Sequence, residues 1–147
     1  MPSEARPIDI LLVEDSPGDV RLTREALAGS RIANTLHVAM DGEEALDFLF
    51  RRRRFHDAPR PGLILLDLNL PILDGREVLS EIKADNDLRT IPVVVLTTSS
   101  ADEDILRTYE LNANAFITKP VDLAQFIDAV LQIGRFWLQV VTLPKEP

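Results

Sequence analysis

Leu63-Ile64-Leu65-Leu66 runs directly into Asp67, then into Leu68-Asn69-Leu70-Pro71-Ile72-Leu73-Asp74-Gly75. An uninterrupted branched apolar run closed by an acid reads as a strand buried on both faces. Residues 10–13 ahead of Glu14-Asp15, and residues 93–96 ahead of Thr97, have the same form. A shorter run covers 115–117, and Asn34–Ala39 is a weaker strand candidate. Helical patterns lie between these runs. Ser16 is placed to cap a helix over Pro17–Ala28, with Pro17 at its first position and Gly29 at its end. Residues 43–54 put Ala45, Leu46, Leu49 and Phe50 on one face; 74–84 do so with Val78, Leu79 and Ile82. Residues 101–111 line up Ile105, Leu106 and Tyr109, and Asp122 opens a last helix carrying Leu123, Phe126, Ile127, Val130 and Leu131. Strand and helix alternate five times. That pattern predicts an α/β fold, a five-stranded parallel sheet with helices on both faces and right-handed crossovers.

Composition narrows the function. The chain has 147 residues, 16 basic and 24 acidic side chains, and a net charge of −8. This length suits one domain. With no cysteine, disulfide scaffolds, Cys-ligated zinc, iron–sulfur clusters and thiol catalysis are excluded. His37 and His56 lie far apart, which argues against an imidazole-rich metal site. The acidic balance argues against general nucleic-acid binding. No apolar run approaches the roughly 20 residues of a membrane helix, and residues 1–7 carry no apolar targeting core. A cytoplasmic protein is expected.

In an open parallel sheet, function sits at the carboxyl ends of the strands. Glu14 and Asp15 follow strand one, Asp67 strand three, Thr97 strand four, and Lys119-Pro120 strand five. Three carboxylates converging on one cleft repel each other, so either their pKa values rise or a cation joins them. An oxygen-only donor set suits a hard cation such as Mg²⁺. A cation, an ammonium and a hydroxyl around one buried carboxylate are the inventory for phosphoryl transfer to that carboxylate. Each residue alone has a plainer reading: a solvated strand end for Glu14 and Asp15, a cap for Asp67, a strand hydroxyl for Thr97, a loop lysine for Lys119. Their coincidence on one rim favours the chemistry.

The segments Leu11-Leu12-Val13-Glu14-Asp15, Leu65-Leu66-Asp67 through Gly75, Val94-Val95-Leu96-Thr97-Thr98-Ser99 and Ala115-Phe116-Ile117-Thr118-Lys119-Pro120 strongly resemble the receiver domain of bacterial two-component response regulators. The resemblance spans roughly residues 7–134. It implies a flavodoxin-like sheet of strand order 2-1-3-4-5. It implies that Asp67 takes a phosphoryl group from the phosphohistidine of a sensor histidine kinase. Glu14, Asp15 and Asp67, with the backbone carbonyl of Asn69, would hold Mg²⁺. Thr97 and Lys119 would contact the phosphoryl oxygens, and Lys119-Pro120 resembles the family's cis peptide. Thr97 and Phe116 would form the switch; Phe116 has no hydroxyl where many members carry tyrosine. The Glu14-Asp15-Ser16-Pro17-Gly18-Asp19 segment, the polar connection over 51–62 and Phe136-Trp137-Leu138 resemble the single-domain regulators that accompany bacterial phytochromes. That implies a red-light-sensing kinase as partner and a homodimer.

The tail adds an expectation of its own. Apolar spacing continues through Ile133, Trp137, Leu138 and Val141, so the last helix is expected to run on to about 141. Residues 135–147 then form its extension and a tail, with no separate output domain. Surplus apolar surface marks an interaction site, and Phe126, Val130, Phe136, Trp137 and Val141 are the expected two-fold dimer contacts. Asp9 reads as solvated, and the four arginines over 51–54 as a solvated helix end rather than a docking patch. Two rival functions differ in class. An aspartate-nucleophile phosphatase usually needs an acid two residues past the nucleophile, where Asn69 stands. A phosphorylation-independent dimeric scaffold would have no use for the retained Glu14, Asp15, Asp67 and Lys119.

Overall fold

In the computed structural model of the chain, residues 7–30, 32–98 and 113–133 are described. The helix expected over 101–111 and the continuation of the last helix, with Phe136, Trp137 and Val141, lie outside them. The described strands and α-helices are β1 (Ile8–Val13), α1 (Pro17–Ala28), β2 (Asn34–Ala39), α2 (Gly42–Leu49), β3 (Leu63–Asp67), α3 (Gly75–Ala84), β4 (Val93–Thr97), β5 (Ala115–Thr118) and α4 (Leu123–Ile133). The strands form one parallel sheet in the order β2-β1-β3-β4-β5. None of the described helices is long and apolar enough to cross a membrane.

Strand periodicity divides the core in two, because alternate side chains point to opposite faces. Leu11, Val13, Ile64, Leu66, Val93 and Val95 pack under α2 and α3, against Ala45, Leu46, Val78, Leu79 and Ile82. Ile10, Leu12, Leu63, Leu65, Val94 and Leu96 pack under α1 and α4, against Leu27, Phe126, Ala129 and Val130. Burial on both faces explains why three strands have no polar interruption.

Local signals set the helix starts. Ser16 Oγ accepts the backbone N–H of Asp19 at 3.3 Å, and Asp41 Oδ1 that of Glu44 at 2.8 Å. Asp74 forms a full capping box with Glu77 at the start of α3. The end of α2 corrects the expectation of a helix to Arg54. The helix stops at Leu49, and Arg51 takes a left-handed φ of 55°. Arg51 N–H donates to Phe48 O and Arg52 N–H to Asp47 O, at 3.2 and 2.8 Å. These are the paired bonds of a Schellman stop, made here without glycine. The arginine run is spent locally. Arg52 and Arg53 pair with Asp47, while Arg54 pairs with Glu44 and lies over the Phe55 ring.

Two further expectations are corrected. Asp9 is not simply solvated: its Oδ1 lies 2.9 Å from His37 Nε2 across the β1–β2 pair. Phe126 and Val130 are not surplus surface, because the chain's own sheet buries them at 0% and 2% exposure. The outward apolar residues of α4 are Leu123, Ile127 and Leu131.

The loop from β3 to α3 fixes the position of Asp67. A Cβ at Gly75 would fall on Asp67 O and lie 2.7 Å from Leu68 Cα, so the start of α3 touches the end of β3 through a residue without a side chain. Gly75→Ala is expected to cost about 1–3 kcal/mol by overpacking. A urea midpoint unchanged from wild type would contradict that close approach. Ile72 has a φ of 68° and is 73% exposed. A β-branched residue there is strained by about 1–3 kcal/mol. Ile72→Gly is expected to raise stability by about 1 kcal/mol, read from the same urea titration; a fall would show that the side chain contributes more than the strain costs.

Candidate functional site

β1 and β3 are neighbours whose following connections lead to opposite edges of the sheet. Their carboxyl ends therefore open a crevice. Glu14 follows β1 in extended register, its N–H donating to Ala39 O at 3.0 Å. Glu14 is fully buried, Asp67 and Thr97 are each 2% exposed, and Asp15 is exposed at the mouth. Carboxylate oxygens of Glu14, Asp15 and Asp67 all lie within 4.8 Å of one another. Lys119 N–H donates to Thr97 O at 2.7 Å, tying the ends of β4 and β5 together, and the Lys119–Pro120 peptide is cis.

The Lys119 ammonium reaches into this cluster. Nζ lies 2.8 Å from Glu14 Oε1, 3.0 Å from Asp67 Oδ2 and 3.1 Å from Asp19 Oδ2. The other oxygens are fixed by backbone. Ser16 N–H donates to Glu14 Oε2 at 3.2 Å, and Asn69 N–H to Asp67 Oδ1 at 3.1 Å. The structure thus brings Glu14, Asp15, Asp67, Thr97 and Lys119 to one rim, as the sequence indicates. Asn69 is exposed beside Asp67, and Phe116 on β5 is half-buried against the core under α2 and α3.

Asp19 is the residue whose role the sequence reading missed. It stands in the first turn of α1, and its partner Lys119 is 100 residues later. The available signal was the Ser16 cap, which places Asp19 in the turn that faces the rim.

Three carboxylates contact one ammonium, with Asp15 beside them at the mouth, and the electrostatics follow. Burial pushes the Glu14 carboxyl up; the Asp67 charge adds to this, and Lys119 opposes it, leaving the pKa at about 7. Burial alone would pull the Lys119 ammonium down. Its hydrogen bonds to Glu14 and Asp67, and their charges, outweigh that and hold it above the ordinary lysine value. Lys119 therefore stays charged but does not neutralise the cluster. Three hard oxygen donors, one open to solvent and one still held up near pH 7, fit a divalent cation of the Mg²⁺ or Mn²⁺ type.

A pH dependence follows. Glu14 holds its proton more tightly folded, at about 7, than at the ordinary 4.5. The metal-free protein therefore loses stability as pH rises from 4.5 towards 7. Cation affinity is expected to rise over the same range, because a cation held by this cluster would displace that proton. Mg²⁺ affinity near pH 6 is expected to be roughly tenfold below that near pH 8, with proton release on binding. Calorimetry in buffers of different ionisation enthalpy measures both; flat affinity without proton release would contradict the assignment.

Residues 10–131 match the response regulator receiver domain. The chain belongs to this family. Its receiver domain is a phosphoacceptor signalling domain of two-component systems, and receiver domains bind a divalent metal. Response regulator Rcp1 of Synechocystis sp. is 51% identical over 138 residues, 94% of this chain and 94% of Rcp1. Among solved structures, the bacteriophytochrome response regulator RtBRR superimposes with a TM-score of 0.84 at 42% identity, covering 97% of this chain and 84% of that one. The Mn²⁺-bound form of response regulator Rcp1 gives a TM-score of 0.76 at 50% identity, covering 95% and 100%. The receiver fold, with its sheet order, is the one expected from the motifs.

Proposed function

We propose that Asp67 is the phosphoacceptor of this receiver domain, and that its donor is a sensor histidine kinase of the bacterial phytochrome class. The observation that carries the first part is the buried Asp67 carboxylate, held 3.0 Å from Lys119 and within a cluster of three carboxylates. The relatives named as phytochrome regulators support the second.

In this reading an Asp67 oxygen attacks the phosphorus of a phosphohistidine. The P–N bond breaks, and the imidazole leaves with the electron pair and takes up a proton. Asn69 N–H holds the other carboxylate oxygen and so orients the attacking one. Thr97 and Lys119 take up the phosphoryl oxygens. Glu14, Asp15 and Asp67, with the Asn69 carbonyl, would hold Mg²⁺, which supplies charge neutralisation on the transferring group. The protein assists only its own phosphorylation and dephosphorylation.

Occupation of the rim by the phosphoryl group biases Thr97 and Phe116 and, through them, the surface around β5 and α4. Output then passes through protein contacts in the cytoplasm, including a homodimer through the last helix and the β5 region. Leu123, Ile127 and Leu131 offer apolar surface there. The test of the donor is transfer from a phosphorylated phytochrome kinase, followed against a histidine kinase of another input class. Rapid, light-dependent transfer from the first alone is expected; equal transfer from both would contradict the pairing. Sedimentation with and without phosphate reads the dimer.

A further inference from the structure

We propose that Asp19 acts as a positioning residue that occupies Lys119 in the unphosphorylated protein, competing with the phosphoryl group for it and so slowing phosphorylation of Asp67. This rests on the acceptor reading of Asp67. An ammonium has three donors, and Lys119 Nζ has three carboxylate neighbours at 2.8, 3.0 and 3.1 Å. Its side chain is 7% exposed, so little water reaches it. A phosphoryl oxygen can gain Lys119 only if one of these pairs opens.

Burial decides which one. Releasing Glu14 strips the ammonium partner from a fully buried carboxylate, which costs more than stripping it from a partly exposed one, and the Asp67 oxygen on Lys119 is the attacking atom itself. The Asp19 side chain is 32% exposed and regains water when released. It also sits in the first turn of α1, where a carboxylate is stabilised by the helix N-terminus. Its backbone is held on both sides: Asp19 N–H donates to Ser16 Oγ at 3.3 Å, and Thr23 Oγ1 donates to Asp19 O at 2.9 Å. The side chain can therefore leave Lys119 without the helix moving. Asp19 also lies outside the three-carboxylate group that fits a cation. Its contact is with Lys119, and its exchange partner is the phosphoryl oxygen.

The test is the rate of phosphoryl uptake from phosphoramidate at saturating Mg²⁺, for wild type, Asp19→Asn and Asp19→Glu. Asp19→Asn is expected to speed uptake roughly two- to fivefold, the weight of one partly exposed ion pair. The gain should persist in about 0.5 M salt, where long-range repulsion is screened. Mg²⁺ affinity should stay as in wild type, and Asp19→Glu should return the rate towards wild type. An unchanged or slower Asp19→Asn rate overturns the proposal. So does a gain that vanishes in salt, or a loss of Mg²⁺ affinity that moves Asp19 into the cation site. Wild-type uptake with no Asp19 effect contradicts this role alone; no uptake by any form contradicts the acceptor reading and this role with it.

Discussion

Lys119→Met is expected to lower stability by about 3–5 kcal/mol in metal-free buffer at pH 8, because it leaves buried carboxylates without their cation. Methionine keeps most of the side-chain volume, so the loss reports charge. Glu14 and Asp67 are almost wholly buried, and the described structure gives them no other cation than Lys119. Asp19 is half-exposed and regains water. The deficit should shrink as pH falls towards 7, because Lys119 lowers the Glu14 pKa and without it Glu14 takes up its proton at a higher pH than in wild type; it should shrink again on adding Mg²⁺. Urea titrations at pH 8 and 5.5, with and without Mg²⁺, check all three. A loss below about 1 kcal/mol at pH 8, as for an exposed pair, would contradict the ammonium's central place in the cluster.

Asp67→Asn is expected to reduce phosphoryl uptake to background while leaving the protein folded. An amide oxygen still accepts the Asn69 N–H, so the local turn is kept. Lys119 keeps Glu14 and Asp19. Removing one negative charge from a crowded cluster lowers repulsion, so the metal-free variant is expected to be at least as stable as wild type. Mg²⁺ affinity should fall by at least about tenfold with a ligand gone. Phosphotransfer, thermal unfolding and Mg²⁺ titration read the three effects separately. Uptake retained by the folded variant would place the acceptor elsewhere.

The readable parts of this sequence are those where a local pattern has one physical solution. Residues 10–13, 63–66 and 93–96 are apolar throughout because both sheet faces are covered, and β1, β3 and β4 lie there. Ser16, Pro17 and Gly29 bracket α1 as expected. The misread parts depend on contacts distant in sequence or on a choice between equal patterns. Apolar spacing runs on through Phe50, yet Asp47 collects Arg52 and Arg53 and α2 stops at Leu49. No glycine marks that stop. Asp9 looks solvated until β2 brings His37 beside it. The apolar residues of α4 form one stripe in sequence, and only packing assigns Phe126 and Val130 to the core and leaves Ile127 and Leu131 outside.

The rim was legible for the same reason as the strands. Each polar residue there ends an apolar run, and the parallel sheet gathers those ends on one side. Asp19 follows no strand, so that rule passed over it. Its meaning depends on a lysine at the far end of the chain.

The most direct measurement is intact mass after incubation with phosphoramidate and Mg²⁺, with and without a chelator, followed by mapping of the modified peptide. One added phosphoryl group on the peptide holding Asp67, lost when the cation is chelated, is the predicted result. Uptake on another residue, or uptake at Asp67 indifferent to the cation, would contradict a metal-dependent acceptor at the end of β3.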